Sequence, residues 1–450
     1  MNGPTDSRTS TISLLLGVWA LFLGFALLQV GTGLQRILLP IRGESEGMGA
    51  GAMGVIMAVH FAGYLVGAKV IPLALMSVGH IRVFAALAST GSTAVLVNAV
   101  LVTTPSWSLV YFVSGLCNAG VFVILESWLN DRATNETRGS ILGAYMVVMM
   151  GGTAGGQLLL NLGSADGLEL FVLSSVLISL AVVPVTLSAS TSPPMPSTEK
   201  MPLRELYRTV PSAVVGIVFC SFVAASASSM AAVFGTTSGM RAGRITLFTT
   251  AAVVGAVLLQ VPLGSLSDRY PRRAVIFGVS SISCGLAVIG ALTPSSNITL
   301  IGVNLAFGAF VFPLYGQFVA LANDWIPPEK RVAAASTLVL ASSFGAMAAP
   351  LTIGFTMESF GPSAYFWTLA IILGLLALYL AYRTRVRQPI PVERQTRFQP
   401  VAARSGELAH AVGKWVMHPL AGWHNRRDDH ECEVDERHSS HSTRPCDGSG

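Results

Sequence analysis

One carboxylate, Glu126, interrupts the apolar interior of the first half of the chain. It lies in Leu125-Glu126-Ser127-Trp128-Leu129-Asn130-Asp131-Arg132, ahead of Asn135-Glu136-Thr137-Arg138-Gly139. A carboxylate inside a membrane span is costly and points to function by default. It could carry a proton, because a buried carboxyl can exist in either protonation state. Yet Glu126 stands four residues before Asn130, about 6 Å from the end of its apolar run at 1.5 Å per residue. Three readings follow: a gate partner for Arg138 or Arg82, a proton-coupling group, or a carboxylate solvated at the interface. Asp131 is a further gate candidate.

A second constellation is Gly264-Ser265-Leu266-Ser267-Asp268-Arg269-Tyr270-Pro271-Arg272-Arg273. A glycine lets two helices approach closely. An Asp at a membrane edge can meet a helix N-terminus or an Arg from elsewhere in the protein. A loop that only set topology would need Lys and Arg, but no Asp at this spacing. The first half has a decayed copy, from Gly67 and Lys69 to Val78-Gly79-His80-Ile81-Arg82, with apolar residues where the Asp would stand. The opening pattern also returns. Asn130, Asp131, Glu136 and Arg138 are matched by Asn323, Asp324, Glu329 and Arg331, each 193 positions later, and the same offset maps Gly152 onto Gly345. Asp324 and Arg331 are thus gate candidates in a second, duplicated half.

The elements that must position these residues follow from composition. Only 11% of residues are charged and 52% are hydrophobic, against about 25% charged in a soluble domain. The chain reads as an all-α integral membrane protein. Apolar runs of about 20 residues fall near 12–39, 52–75, 82–102, 106–130, 139–162, 168–189, 209–238, 244–266, 273–292, 298–325, 331–357 and 362–382. A Pro-rich linker at 190–208 separates two six-helix bundles, 12–189 and 209–382, with a short N-terminus at 1–11 and a mostly disordered tail at 383–450.

Lys and Arg concentrate in alternate loops, which places both termini in the cytoplasm. The formal charge of +5 is therefore topogenic, and no nucleic-acid partner is expected. Cys117, Cys220 and Cys284 lie in apolar runs and Cys432 and Cys446 in the tail, so no disulfide framework is expected. In the tail, His430, Cys432, His438, His441 and Cys446 match no zinc spacing, so no metal is expected. Leu408, Val412, Trp415, Val416 and Leu420 recur at helical spacing and could lie on a membrane surface, although a solvated tail is the plainer reading.

The basic motif resembles the cytoplasmic G-x-x-x-D-R-x-x-R-R signature of the major facilitator superfamily. In that family its Asp and Arg help to latch the two bundles closed on the inside. Glu126-Ser127-Trp128-Leu129-Asn130, Arg138-Gly139, Tyr145, Gly155-Gly156-Gln157 and Val78-Gly79-His80-Ile81-Arg82-Val83-Phe84 resemble its YcaD-like branch over about residues 12–382. The resemblance implies a transporter of twelve transmembrane helices, with the first, fourth, seventh and tenth lining a cavity. Candidates for that cavity are Gln29, Gln35, Asn118, Ser226, Asn304, Tyr315 and Gln317, joined by Gln157 and Gln260. Each is individually more often helix-to-helix glue. The fifth span lacks the proline of the family's antiporter signature, which argues against drug/proton antiport.

Arg36 could receive an anionic group, but an Arg at a span end usually snorkels. His60 could relay protons or be a satisfied core histidine, and the second reading is favoured. Trp107, Trp128, Trp325 and Trp367 read as interface anchors.

The expectation is a secondary transporter of a small solute, working by alternating access in an inner or plasma membrane. Protons are the expected coupling ion. The partners are a small-molecule substrate and the lipid bilayer, the chain is a monomer, and no cofactor is needed. No phosphate loop is present to couple ATP directly, and no nucleophile, base and orienting group cluster as in an enzyme. The competing class is a transporter-like receptor or scaffold signalling through its tail.

Overall fold

The structure, a computed structural model, describes residues 6–132, 138–187, 201–296, 298–386 and 395. The helices of the first half are α1 (Asp6–Ser45), α2 (Ala50–Val78), α3 (His80–Val100), α4 (Thr104–Arg132), α5 (Arg138–Leu158), α6 (Glu169–Leu180) and α7 (Val182–Leu187). A short α8 (Leu203–Thr209) precedes α9 (Pro211–Ser229), α10 (Ala231–Thr237), α11 (Ala242–Arg269) and α12 (Arg272–Leu292). The last four are α13 (Thr299–Val311), α14 (Pro313–Asn323), α15 (Arg331–Phe360) and α16 (Ala364–Val386).

Among the described residues 12 helical spans are long and apolar enough to cross a membrane. Helices are interrupted at α6/α7, α9/α10 and α13/α14. Pro313 starts α14, where its missing N–H is tolerated in the first turn. At the α9/α10 break, Ser228 and Ser229 both donate to the Ala225 carbonyl, a back-bond that competes with the helix ladder.

Helices pack in the same way twice. Within the first half α1 packs on α5 and α2 on α4, and within the second α9 packs on α15 and α11 on α13. Glycines set these contacts. A Cβ at Gly115 would run into the His60 carbonyl, and one at Gly308 into the Ala252 carbonyl. Gly115 and Gly308 stand 193 positions apart. Gly152 lies against Gln29 of α1, and Gly345 against Phe222 of α9, again at that offset. On α5 only one of the two spaced glycine pairs makes close contact: Gly152 and Gly156 meet α1, whereas Gly151 and Gly155 face open space.

The halves meet at the end of the bundle that carries residues 45–50. There Gly54 lies against the Pro350 carbonyl and Gly354, and Gly354 lies against the Ala50 carbonyl, so α2 and α15 touch backbone to backbone. At the opposite, basic end, α8 docks on the second half through Lys330 Nζ to Glu205 Oε1 at 3.1 Å. The Thr337 hydroxyl also donates to the Met201 carbonyl.

Two expectations change. Trp107 and Trp128 are fully buried core residues, the former donating to the Asn98 carbonyl at 3.0 Å, and do not anchor at the interface. The first span does not stop near residue 39 either. It continues through Pro40 to Ser45, which draws Arg36 well inside the helix. Prolines are tolerated in membrane helices where neighbours satisfy the freed backbone groups.

Candidate substrate cavity and ion cluster

A cavity of about 190 Å³ lies between the halves. From the first half it is lined by Gln29 and Arg36 of α1, His60, Phe61 and Tyr64 of α2, Phe122 of α4, and Met149, Met150, Thr153 and Gln157 of α5. The second half supplies mostly small residues, among them Ser221, Ala224, Ala225, Ala252, Val253, Ser342 and Ala346, together with Gln260. A recess of about 30 Å³ adjoins it, lined by Thr32, Gln35, Arg36, His60, Tyr111, Ser114, Asn118 and Ser229 among others.

Five candidates from the sequence therefore face a cavity: Gln29, Gln157 and Gln260 in the larger, Gln35 and Asn118 in the recess. The Gln29 amide donates weakly to the Thr153 hydroxyl at 3.4 Å. Gln157 spans the two halves, its carbonyl oxygen accepting from Thr249 at 3.2 Å and Thr250 at 3.1 Å.

The other four lie in helix contacts, outside both linings. Ser226 donates to the Phe222 carbonyl of its own helix at 2.9 Å. Asn304 ties α13 to α11 through the Phe248 carbonyl at 2.7 Å. Tyr315 and Gln317 are buried in α14. Their spans do border the centre, but these side chains occupy the packed side of the helix, which the sequence cannot show.

Arg36 and His60 are the residues that sequence reasoning undervalued. Both line both cavities. His60 Nδ1 donates to the Tyr111 carbonyl at 3.3 Å, and its ring lies 5.2 Å from the Tyr111 ring. The signal that could have found Arg36 is Ile37-Leu38-Leu39-Pro40-Ile41 beyond it, apolar enough to carry the span further.

The basic motif forms a buried ion cluster. Arg272 Nη1 donates to Asp324 Oδ1 at 2.7 Å and Oδ2 at 2.8 Å, and Arg272 Nη2 donates to Asp268 Oδ1 at 3.1 Å. The side chains of Arg272 and Asp324 are both 1% exposed. Arg273 stacks over the Trp325 ring at 5.8 Å, and Gly264 is buried beneath.

Among the described residues these contacts join α11, α12 and the end of α14. Arg269 is exposed. Arg331 donates to the Ile326 carbonyl at 3.1 Å and closes its own loop. In the first half Arg82 is exposed. Glu126 is buried and lies within electrostatic reach of Tyr315, across the boundary between halves. The side chains of Asp131 and Arg138, the loop between them and the tail residues lie outside the described residues.

Residues 213–423 match the model of the Major Facilitator Superfamily. An uncharacterised MFS-type transporter of Yersinia enterocolitica is 24% identical over 395 residues, covering 85% of this chain and 98% of that protein. The uncharacterised MFS-type transporter YcaD of Escherichia coli is 23% identical, covering 83% and 97%. The second half of the chain thus matches the Major Facilitator Superfamily model, and most of the chain is similar to YcaD-like MFS-type transporters.

Solved structures carry the same fold. The structure of a bacterial homologue of the human lysosomal transporter Spinster, inward-facing and occupied, superposes with a TM-score of 0.68 at 15% identity. It covers 89% of this chain and all of that one. The nucleoside transporter NupG superposes at 0.65 with 12% identity, covering 82% and 99%. The chain is thus a multi-pass membrane transporter, similar to the YcaD-like proteins that its fourth-span motif resembles.

Proposed function

We propose that the chain moves a small solute across an inner or plasma membrane by alternating access, with both termini in the cytoplasm and protons as the coupling ion. The observation that carries this is the cavity walled by both halves, whose α2 and α15 close upon each other at the end bearing residues 45–50. With the basic loops inside, that closed end is the outer one and the cavity faces the cytoplasm. A site between two parallel repeats near the midplane is what rocking of one half against the other exposes to each side in turn.

In this reading Gln29, Gln35, Asn118, Gln157 and Gln260 contact solute. Arg272 with Asp268 and Asp324 holds the inner ends of the second half in register as it moves. Glu126, buried opposite Tyr315, is the proton-coupling group. Solute flux into proteoliposomes tests the proposal. A proton gradient should drive accumulation, and Glu126→Gln should abolish accumulation while leaving downhill exchange. No flux of any solute in either direction would sink transport, and unchanged accumulation in the Gln variant would remove Glu126 from coupling.

A further inference from the structure

Where α2 and α15 close the end bearing residues 45–50, a charged side chain crosses from one half to the other. A Cβ at Gly51 of α2 would overlap Oε2 of Glu358, and one at Gly49 would stand 3.1 Å from Oε1. The carboxylate thus lies over the first turn of α2. Glu358 belongs to the last turn of α15, which holds no basic residue. An acid is unfavourable at a helix C-terminus and favourable at an N-terminus. The position is therefore poor for α15 and good for α2.

The start of α2 needs such a group. Its N-cap is Gly49, which has no side chain to cap with, and its own first turn holds no acid. The N–H groups of a first turn have no partner within the helix. In the second half α11 packs on α13 as α2 packs on α4, and it starts in the same way. Its N-cap, Arg241, makes no capping bond, and no acid follows in the first turn. Here the first half supplies the oxygen. Asn161, in the turn after α5, donates through Nδ2 to the Leu158 carbonyl at 3.1 Å. Its Oδ1 lies 3.4 Å from the place of a Cβ at Gly243, in the first turn of α11. Each half thus lays a side-chain oxygen on the N-terminus of the other half's equivalent helix.

We propose that Glu358 and Asn161 are positioning residues that hold this end shut, the charged cap being the stronger of the two. Both side chains are exposed, so water screens the caps and each is weak enough to break in every cycle. This assignment rests on the reading of the chain as an alternating-access transporter, in which this end is the outer one. Opening outwards draws the halves apart here and uncovers both N-termini.

The test is hydrogen–deuterium exchange, read by mass spectrometry on the purified full-length chain in detergent micelles. It compares the first turns of α2 and α11 with the opposite, basic end. Glu358→Gln keeps the shape and removes the charge. Exchange in both first turns should rise about two- to fivefold, the worth of one charge at a helix terminus, while exchange at the basic end falls. Asn161→Asp adds a charge and should do the reverse by a similar factor. A rise confined to α2, with the basic end unchanged, would reduce Glu358 to a local cap and overturn the assignment. No change in Glu358→Gln, or a change of the same sign in both variants, would overturn it too. Should Glu358→Gln fail to fold, the sign of the Asn161→Asp effect decides alone.

Flux separates this from the transport reading. Reciprocal exchange at the two ends without flux of any solute keeps the caps and sinks transport. Flux with exchange unchanged in both variants keeps transport and overturns the caps.

Discussion

The two halves share one packing scheme and divide the chemistry between them. At the 193-residue offset, Gly115 and Gly308 make the same helix contact, and Gly152 and Gly345 another. Where the first half places Gln29, Arg36 and His60 towards the centre, the second has Phe222, Ser229 and Val253 at the same offset. The charged wall of the cavity and most of its aromatic wall therefore come from the first half, while the second offers Phe312 and a surface of mostly small residues.

At the basic end the contrast reverses. The second half buries Arg272 between Asp268 and Asp324. In the first half Gly79 and Leu75 stand at the offset positions of Arg272 and Asp268. There, buried His80 contacts the Ser127 hydroxyl through Nε2 at 3.1 Å and lies 5.6 Å from the Trp128 ring. Among the described residues, a histidine–hydroxyl contact thus stands where the second half has an ion pair. Duplication preserved what packing requires and released what it does not.

The largest effect should come from breaking that asymmetry. Arg272→Leu removes the guanidinium that Asp268 and Asp324 share, and removal of one partner of a buried pair typically costs about 3–5 kcal/mol. His80→Leu removes the contact to the Ser127 hydroxyl and should cost about 1 kcal/mol. Equilibrium unfolding in detergent micelles measures both. Equal losses would mean that the ionic cluster is no more than a hydrogen-bonded joint.

Next in size are the paired glycines. Gly115→Ala and Gly308→Ala each push a methyl group into a backbone carbonyl across the helix pair, an overpacking that costs about 1–3 kcal/mol. The two should destabilise alike by the same unfolding assay. Both neighbours, His60 and Ala252, line the cavity, but only His60 brings a polar ring to it, so Gly115→Ala should weaken ligand binding more than Gly308→Ala. A ligand effect from Gly308→Ala as large as that from Gly115→Ala would contradict the division of labour.

Much of this fold was legible in the sequence, because span length and charge distribution are set by the bilayer itself. The offset between halves was visible at Asp131 and Asp324 because polar residues at a membrane edge are few. The site was less legible. Asn304 and Gln29 look alike in the sequence, yet one ties α13 to α11 and the other faces the cavity. The difference is a rotation about the helix axis, set by contacts between helices distant in the chain. Arg36 was misplaced because Pro40 reads as a stop, whereas here the helix runs through it. The carboxylates at Asp268 and Asp324 were found separately, but that one Arg bridges them depends on the α11–α12 turn and the end of α14 meeting.

A smaller effect on stability tests the seam between halves. Gln157→Leu removes the acceptor that Thr249 and Thr250 share. Hydrogen bonds between membrane helices average about 0.6 kcal/mol each, so unfolding should shift by roughly 1 kcal/mol. The transport rate should change more than stability, since these bonds must break if the halves part there. A change in stability with no change in flux would place the moving seam elsewhere.

The smallest effect belongs to the linker. Lys330 and Glu205 are 60% and 45% exposed, and an exposed pair is worth about 0–1 kcal/mol because water and salt screen it. Lys330→Ala should leave unfolding nearly unchanged. Its consequence is positional: α8 is held to the second half by this pair and by the Thr337 bond to the Met201 carbonyl. If the linker travels with the second half, Lys330→Ala and Thr337→Val together should increase proteolytic cleavage near α8 while either alone does little. Cleavage unaffected by the pair would show that Leu206, buried beneath α8, is enough to hold the linker by apolar contact.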